Sequence, residues 1–313
     1  MSYSGIVNVY KEQGFTSFDV VAKMRGIYGT KKVGHTGTLD PMAEGVLLVC
    51  VGRATKLSDI LTSGDKCYHA VMQLGISTDT EDISGEVLDS RDISSGDYDL
   101  SDEHIEEVIA GFRGKQKQVP PMYSAIKVKG KKLYEYARQG IEIERAPRDI
   151  EIYSLEITRI DIPYIEIDIK CSKGTYIRSL IRDVGEKLGT LATMTKLIRT
   201  EVGTHTVSEA YKLSDLQALK EEGRLDEAII SIDDYMSDVP GVIIKPESEK
   251  LLMNGNKLGL HNFISASEDG SEIDVKALKE AAYFKVYNGN ELCALYRYDA
   301  DKNIYMNFKT IRD

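Results

Sequence analysis

The chain has 313 residues, 42% of them apolar and 29% charged, a balance that belongs to a folded globular protein and excludes a disordered one. That length accommodates one large domain with a smaller one, or two of similar size, and a buried core. The formal charge of −10 and a pI near 5.2 speak, as averages, against a nucleic-acid partner, whose phosphates call for Lys and Arg.

The start, Met1 to Tyr10, lacks the charged residues and apolar run of a signal peptide. The longest apolar run, Val46–Val51, falls far short of the roughly 20 residues of a membrane span. Cys50, Cys67, Cys171 and Cys293 form no C-x-x-C, and the histidines at 35, 69, 104, 205 and 261 show no metal-ligand spacing. A cytoplasmic protein with neither disulfides nor a zinc site is therefore expected.

Residues 4–10 alternate like a short strand. Ser17 then reads as the cap of an amphipathic helix, Phe18 to Tyr28, with Val20, Val21, Met24 and Ile27 on one face. Gly26, Gly29, Gly34, Gly37 and Gly45 mark a loop with special backbone demands. Val46–Val51 has the pattern of a strand covered on both faces. A helix is expected over 54–61, a strand over 68–74 and a capped helix over 101–112. Residues 150–160 and 164–171 alternate around Asp161-Ile-Pro163, a hairpin signature. A helix over 175–188 ends at Gly189, a strand spans 197–207, and 208–235 reads as helical and acidic. After Pro240 the composition shifts to short strands at 242–244, 282–286, 292–298 and 303–308, with Asn288-Gly289 as a hairpin turn. These place a domain at 1–239 and a small β-barrel at 240–313.

Charge is unevenly spread. Residues 61–110 carry −11 and 201–240 carry −7, whereas 111–150 carry +6 and the remaining stretches lie between −1 and +2. The basic block interleaves Arg113, Lys115, Lys117, Lys127, Lys129, Lys131, Lys132, Arg138, Arg145 and Arg148 with Tyr123, Tyr134 and Tyr136. Cations among aromatics can hold phosphates and stack bases.

Lys32-Val-Gly-His35-Thr-Gly-Thr-Leu-Asp40-Pro-Met-Ala-Glu-Gly45 is the stretch richest in chemistry. Pro41 pushes Asp40 toward an extended backbone, so this carboxylate stands at a fixed turn beside a core strand. Read alone, it could be an Asx-turn or a cap. No Gly-Lys-Ser/Thr follows, which disfavours a Walker loop.

Gly34-His-Thr-Gly-Thr-Leu-Asp-Pro-Met-Ala-Glu-Gly-Val-Leu47 resembles the signature of the TruB family of pseudouridine synthases. Further blocks are similar in the same order: Asn8-Val-Tyr-Lys11 to Ser17, Gly52-Arg53 to Lys56, Lys66-Cys-Tyr68, Gln118-Val-Pro-Pro121 to Gly130, Leu133-Tyr-Glu-Tyr to Gly140, and Cys171-Ser-Lys-Gly174-Thr-Tyr176-Ile-Arg178-Ser-Leu180. The likeness runs over about residues 5–205. It implies a mixed α/β catalytic domain with a central, mainly antiparallel sheet, followed by a PUA-like RNA-binding barrel. The implied reaction converts uridine 55 of the tRNA TΨC loop to pseudouridine, by base flipping and without a cofactor.

By the same likeness Asp40 is the catalytic carboxylate, Arg178 its partner and Tyr68 the active-site tyrosine. Tyr176 and Leu197 would line the pocket, His35 would fill space in the loop, and Lys11 would contact the RNA backbone. Lys127 and Lys129 belong to a basic thumb, about 113–150, that would grip the RNA. Such an insert points to action on tRNA without a guide RNA, and the chain is expected to be a monomer. Arg178 is expected to hold Asp40 ionised, and the two acidic blocks to face away from the RNA. Glu12, where the family has Pro, and Ile198, where a second Arg is common, depart from the pattern.

Overall fold

The computed structural model describes residues 3–62, 64–265 and 272–312. Its main sheet places neighbouring strands in the order Gly5–Lys11, Glu44–Val51, Ala192–Val202, Lys66–Leu74, Tyr164–Cys171, Arg148–Asp161 and Gly114–Gln118, with Val33–His35 and His205–Thr206 as side branches. The pairings are antiparallel except between Glu44–Val51 and Ala192–Val202, which meet in parallel over only Ile198↔Glu44 and Arg199↔Gly45. The expected mixed, mainly antiparallel sheet is therefore present, and its one parallel seam lies just after the Asp40 loop.

The seam strand shows why an uninterrupted apolar run was needed. Leu47, Val49 and Val51 pack beneath the helices Ser17–Tyr28 and Leu213–Glu221. Val46, Leu48 and Cys50 face the opposite way and join Leu292, Leu295 and Ile311 of the C-terminal region in one core. A third core lies under the helices Asp102–Ala110 and Ile177–Leu188. Gly185 lets that second helix press onto the chain, since a Cβ there would stand 2.2 Å from the Ala192 nitrogen.

Several boundaries differ from the sequence expectation. The first helix is capped by Thr16, not Ser17: its side chain accepts from the Asp19 N–H, and Asp19 bonds back to the Thr16 N–H. Ser17 is thereby freed to hold the Asp40 loop. The strand expected from 197 starts at Ala192. Gly114–Gln118 and Arg148–Asp161 are paired strands of the main sheet, so the segment that leaves it spans 119–147 rather than 113–150. That segment contains a hairpin, Lys127–Val128 with Lys131–Lys132, and a short helix, Leu133–Ala137.

The C-terminal region is a five-stranded sheet ordered Phe263–Ser265, Gly241–Ile244, Phe284–Asn288, Glu291–Asp299 and Ile304–Thr310. Its first edge strand was not anticipated. No continuous ladder closes it into a barrel among the described residues. A single bridge, Leu258↔Tyr305, ties the approach to one edge strand to the other edge. Residues 266–271, inside the expected barrel, lie outside the described residues. Among the described residues no helix is long and apolar enough to cross a membrane.

Candidate active site

The Asp40 loop is held from below by main-chain and buried polar contacts. Thr36 N–H donates to Leu48 O at 3.0 Å and Ala43 N–H to Asp40 O at 3.1 Å. The Ser17 hydroxyl accepts from Leu39 N–H at 2.9 Å and reaches Leu39 O at 3.1 Å. Lys11, wholly buried, donates from Nζ to Glu12 O, Pro41 O and Ala43 O at 3.1, 3.2 and 2.5 Å. This corrects the expected RNA contact: Lys11 does not reach solvent and instead ties down the loop that presents Asp40. Burial pushes its pKa down to about 8. Gly45 ends the loop at φ +101°, where a Cβ would lie 2.2 Å from Arg199 O, so no larger residue fits the seam.

Asp40 Oδ2 lies 2.9 Å from Arg178 Nε. Arg178 is only 4% exposed and is fixed independently, donating to Thr80 O at 2.8 Å and Tyr123 O at 2.9 Å, with Asp82 3.7 Å away. Burial raises the Asp40 pKa above the ordinary carboxylate value, and Asp82 adds to the rise; Arg178 and Lys11 act against it. Arg178 favours the ionised form as expected, but it does not set the direction of the shift, because burial leaves the carboxylate's charge poorly solvated.

Tyr176 immediately precedes the helix that carries Arg178. Gln118 clamps its backbone, accepting from Tyr176 N–H at 2.8 Å and donating to Tyr176 O at 2.9 Å. Tyr68 and Leu197 come from adjacent strands of the sheet. Burial pushes the Tyr68 phenol up to about 12, so it stays protonated at neutral pH. Asp40, Tyr68, Arg178, Tyr176 and Leu197 together line one open cavity of about 750 Å³, large enough for a nucleotide and part of its neighbours. Among the described residues no group of His, Cys, Asp and Glu is arranged to hold a metal ion.

The chain is similar to known proteins over nearly its whole length. Residues 25–177 match the model of the TruB family pseudouridylate synthase N-terminal domain, and 178–237 match that of the tRNA pseudouridylate synthase B C-terminal domain. The tRNA pseudouridine synthase B of Alkaliphilus oremlandii is 43% identical over 92% of this chain and 94% of its own. That of Lachnoclostridium phytofermentans is 45% identical over 98% and 99%. The chain belongs to the TruB family of pseudouridylate synthases. Among solved structures, a chain of a Cbf5-Nop10-Gar1 complex matches with a TM-score of 0.71 at 25% identity, covering 98% of this chain and 85% of that one. Coverage of that extent includes the C-terminal sheet, in keeping with its reading as a PUA-like domain.

Within this TruB-family fold the remaining candidates lie apart from the cavity. His35 packs edge-on against Phe18 at 5.7 Å, and burial lowers its pKa. Phe18, not His35, lines the cavity. Lys127 and Lys129 are exposed on the small hairpin and point to no cavity wall. Lys132, Tyr134 and Arg138 of the same segment do line it, with both cations against the Tyr134 ring at 5.4 and 5.3 Å. The −11 stretch does not turn wholly away: Thr80 and Asp82 line the cavity, and Asp79 accepts from the Tyr123 hydroxyl at 3.1 Å. Arg199, a cavity residue that is 2% exposed, was missed as a site residue. The same strand also carries Lys196 and Glu201, so its composition did not single Arg199 out.

Proposed function

We propose that this enzyme isomerises uridine 55 in the TΨC loop of tRNA to pseudouridine, acting in the cytoplasm as a monomer without a guide RNA. The reading is carried by the Asp40–Arg178 pair on a cavity of nucleotide size, in a chain of the TruB family. The reaction breaks N1–C1′, turns the uracil and joins C5 to C1′, while one proton passes from C5 to N1. No atom or electron is gained or lost, so no cofactor is required. A target inside a folded loop must first be extruded, at a cost of a few kcal/mol.

In this scheme ionised Asp40 is the group that meets the reacting nucleoside. Arg178 orients it from a buried position, and Lys11 and Ser17 fix the loop behind it. Tyr68 and Tyr176 offer aromatic faces to the base, and Leu197 excludes water. The basic segment 119–147 supplies phosphate contacts outside the cavity. Purified protein incubated with an unmodified tRNA transcript and no other RNA should yield pseudouridine at position 55. Absence of conversion, with conversion restored by a guide-containing extract, would overturn the stand-alone reading.

A further inference from the structure

The cavity wall contains a buried charge that this scheme leaves unused. Arg199 lies directly across from Tyr68 on the antiparallel neighbour and across from Gly45 on the parallel one. Opposed residues of paired strands share a face, so the Arg199 and Tyr68 side chains stand side by side at the cavity. Arg199 Nε donates to Val46 O at 2.7 Å and a terminal nitrogen donates to Gly37 O at 3.3 Å. The Tyr68 phenol and this guanidinium interact electrostatically, each bearing on the other's ionisation. Among the described residues Arg199 forms no ion pair with a carboxylate, whereas Arg178 has two carboxylates beside it.

A buried guanidinium with no ion-paired carboxylate is costly, and Asp40 favours its charge only from beyond ion-pairing distance. Breaking N1–C1′ supplies a negative charge: the bonding pair moves onto N1, and the detached uracil spreads the charge over N1, O2 and O4. A guanidinium only donates, so in contact with it the phenol oxygen must accept, leaving the phenol proton for an acceptor in the cavity. We propose that Arg199 is a positioning residue that turns the Tyr68 hydroxyl into a donor toward the detached uracil and sets its own charge against the anion formed there. No proton changes owner in this step, and the pair that leaves C1′ stays on the base. The claim rests on the pseudouridine-synthase reading. Placed donors of this kind act where charge develops, and removing one slows the chemical step by about 10²-fold or more.

The test is a double-mutant cycle in single-turnover assays on saturating unmodified tRNA transcript. Arg199→Met should slow conversion by about 10²-fold with little change in RNA Kd, and should cost almost nothing further in a Tyr68→Phe background. Equal losses in both backgrounds, or a loss that lies wholly in Kd, would overturn the proposal. Arg199→Gln, which keeps a donor but no charge, serves the same cycle if the methionine variant does not fold. A second readout covers a Tyr68→Phe protein too slow to measure: the ¹³Cζ resonance of Tyr68, assigned by its loss in Tyr68→Phe, should move in Arg199→Gln. A resonance that stays in place would show that the guanidinium does not bond the phenol. Failure of the wild-type protein to form pseudouridine would count against the underlying reading instead.

Discussion

Asp40 is pulled two ways. Its position on the cavity raises the carboxyl pKa, and Arg178 at 2.9 Å opposes the rise without cancelling it. Because the ionised form is the working one, activity should fall as pH drops, on an acid limb above that of a free aspartate. Removing Arg178 takes away a stabiliser of the anion, so in Arg178→Gln the limb should move to still higher pH. A pH profile of kcat/KM checks both, and a wild-type limb at or below the ordinary aspartate value would contradict them. Linkage gives a companion sign. A carboxyl with a raised folded-state pKa favours the folded state only when protonated, so ionised Asp40 works against stability near neutral pH. Lys11 shows how a residue can be identified correctly and its role misread. In an alternating strand a lysine reads as a solvent-facing contact, but this strand is covered on both faces, and its ammonium ends on three carbonyls.

Elements were legible where one pattern dominated. Val46–Val51 is apolar throughout because both its faces are buried, and the 148–171 hairpin alternates because its strands bury a single face. The strand Gly114–Gln118 was hidden for a physical reason. It is an edge strand whose Lys115 and Lys117 point to solvent, so its composition matches a basic insert. Phe263–Ser265 was missed because three residues carry no period. On the small hairpin, Lys127, Lys129 and Lys131 belong to neither the main sheet nor the cavity wall. Reversing all three to Glu should raise the Kd for tRNA by roughly tenfold or more, and flatten the dependence of log Kd on log salt by about 0.7–0.9 for each phosphate that is no longer neutralised. The single-turnover rate at saturating RNA should stay near that of the wild type. An unchanged Kd and salt slope would reduce the hairpin to a solvated surface.

At the scale of the molecule, the boundary expected near residue 240 separates two sheets, and the C-terminal one has a core of its own, but a further core spans both. Ile6, Val46 and Leu48 of the catalytic sheet share one cluster with Leu292, Leu295 and Ile311. Lys309–Asp59 and Lys285–Asp233 pairs, at 2.9 and 3.5 Å, flank it. Each large apolar side chain buried there is worth about 1.5–3 kcal/mol, far more than the exposed Lys309–Asp59 pair at the rim. Sequence patterning shows strands and composition shifts but not which faces meet, so this joint core was not legible. The intact chain should therefore unfold in a single cooperative transition by calorimetry, and two separated transitions would show that the C-terminal sheet is an independent module. Net charge misled at this scale in a related way. The acidity of 201–240 lies away from the cavity, while Asp82 of the other acidic stretch lies within it.

The central claim, that Asp40 performs the chemistry, is tested most directly by Asp40→Asn in single turnover on unmodified tRNA transcript, with pseudouridine mapped at position 55. Arg178 keeps its carbonyl partners in this variant, and a costly buried charge is removed, so the protein should melt no lower than the wild type. Normal RNA binding with no detectable pseudouridine is the predicted result. Conversion at position 55 by the Asp40→Asn protein would contradict the assignment.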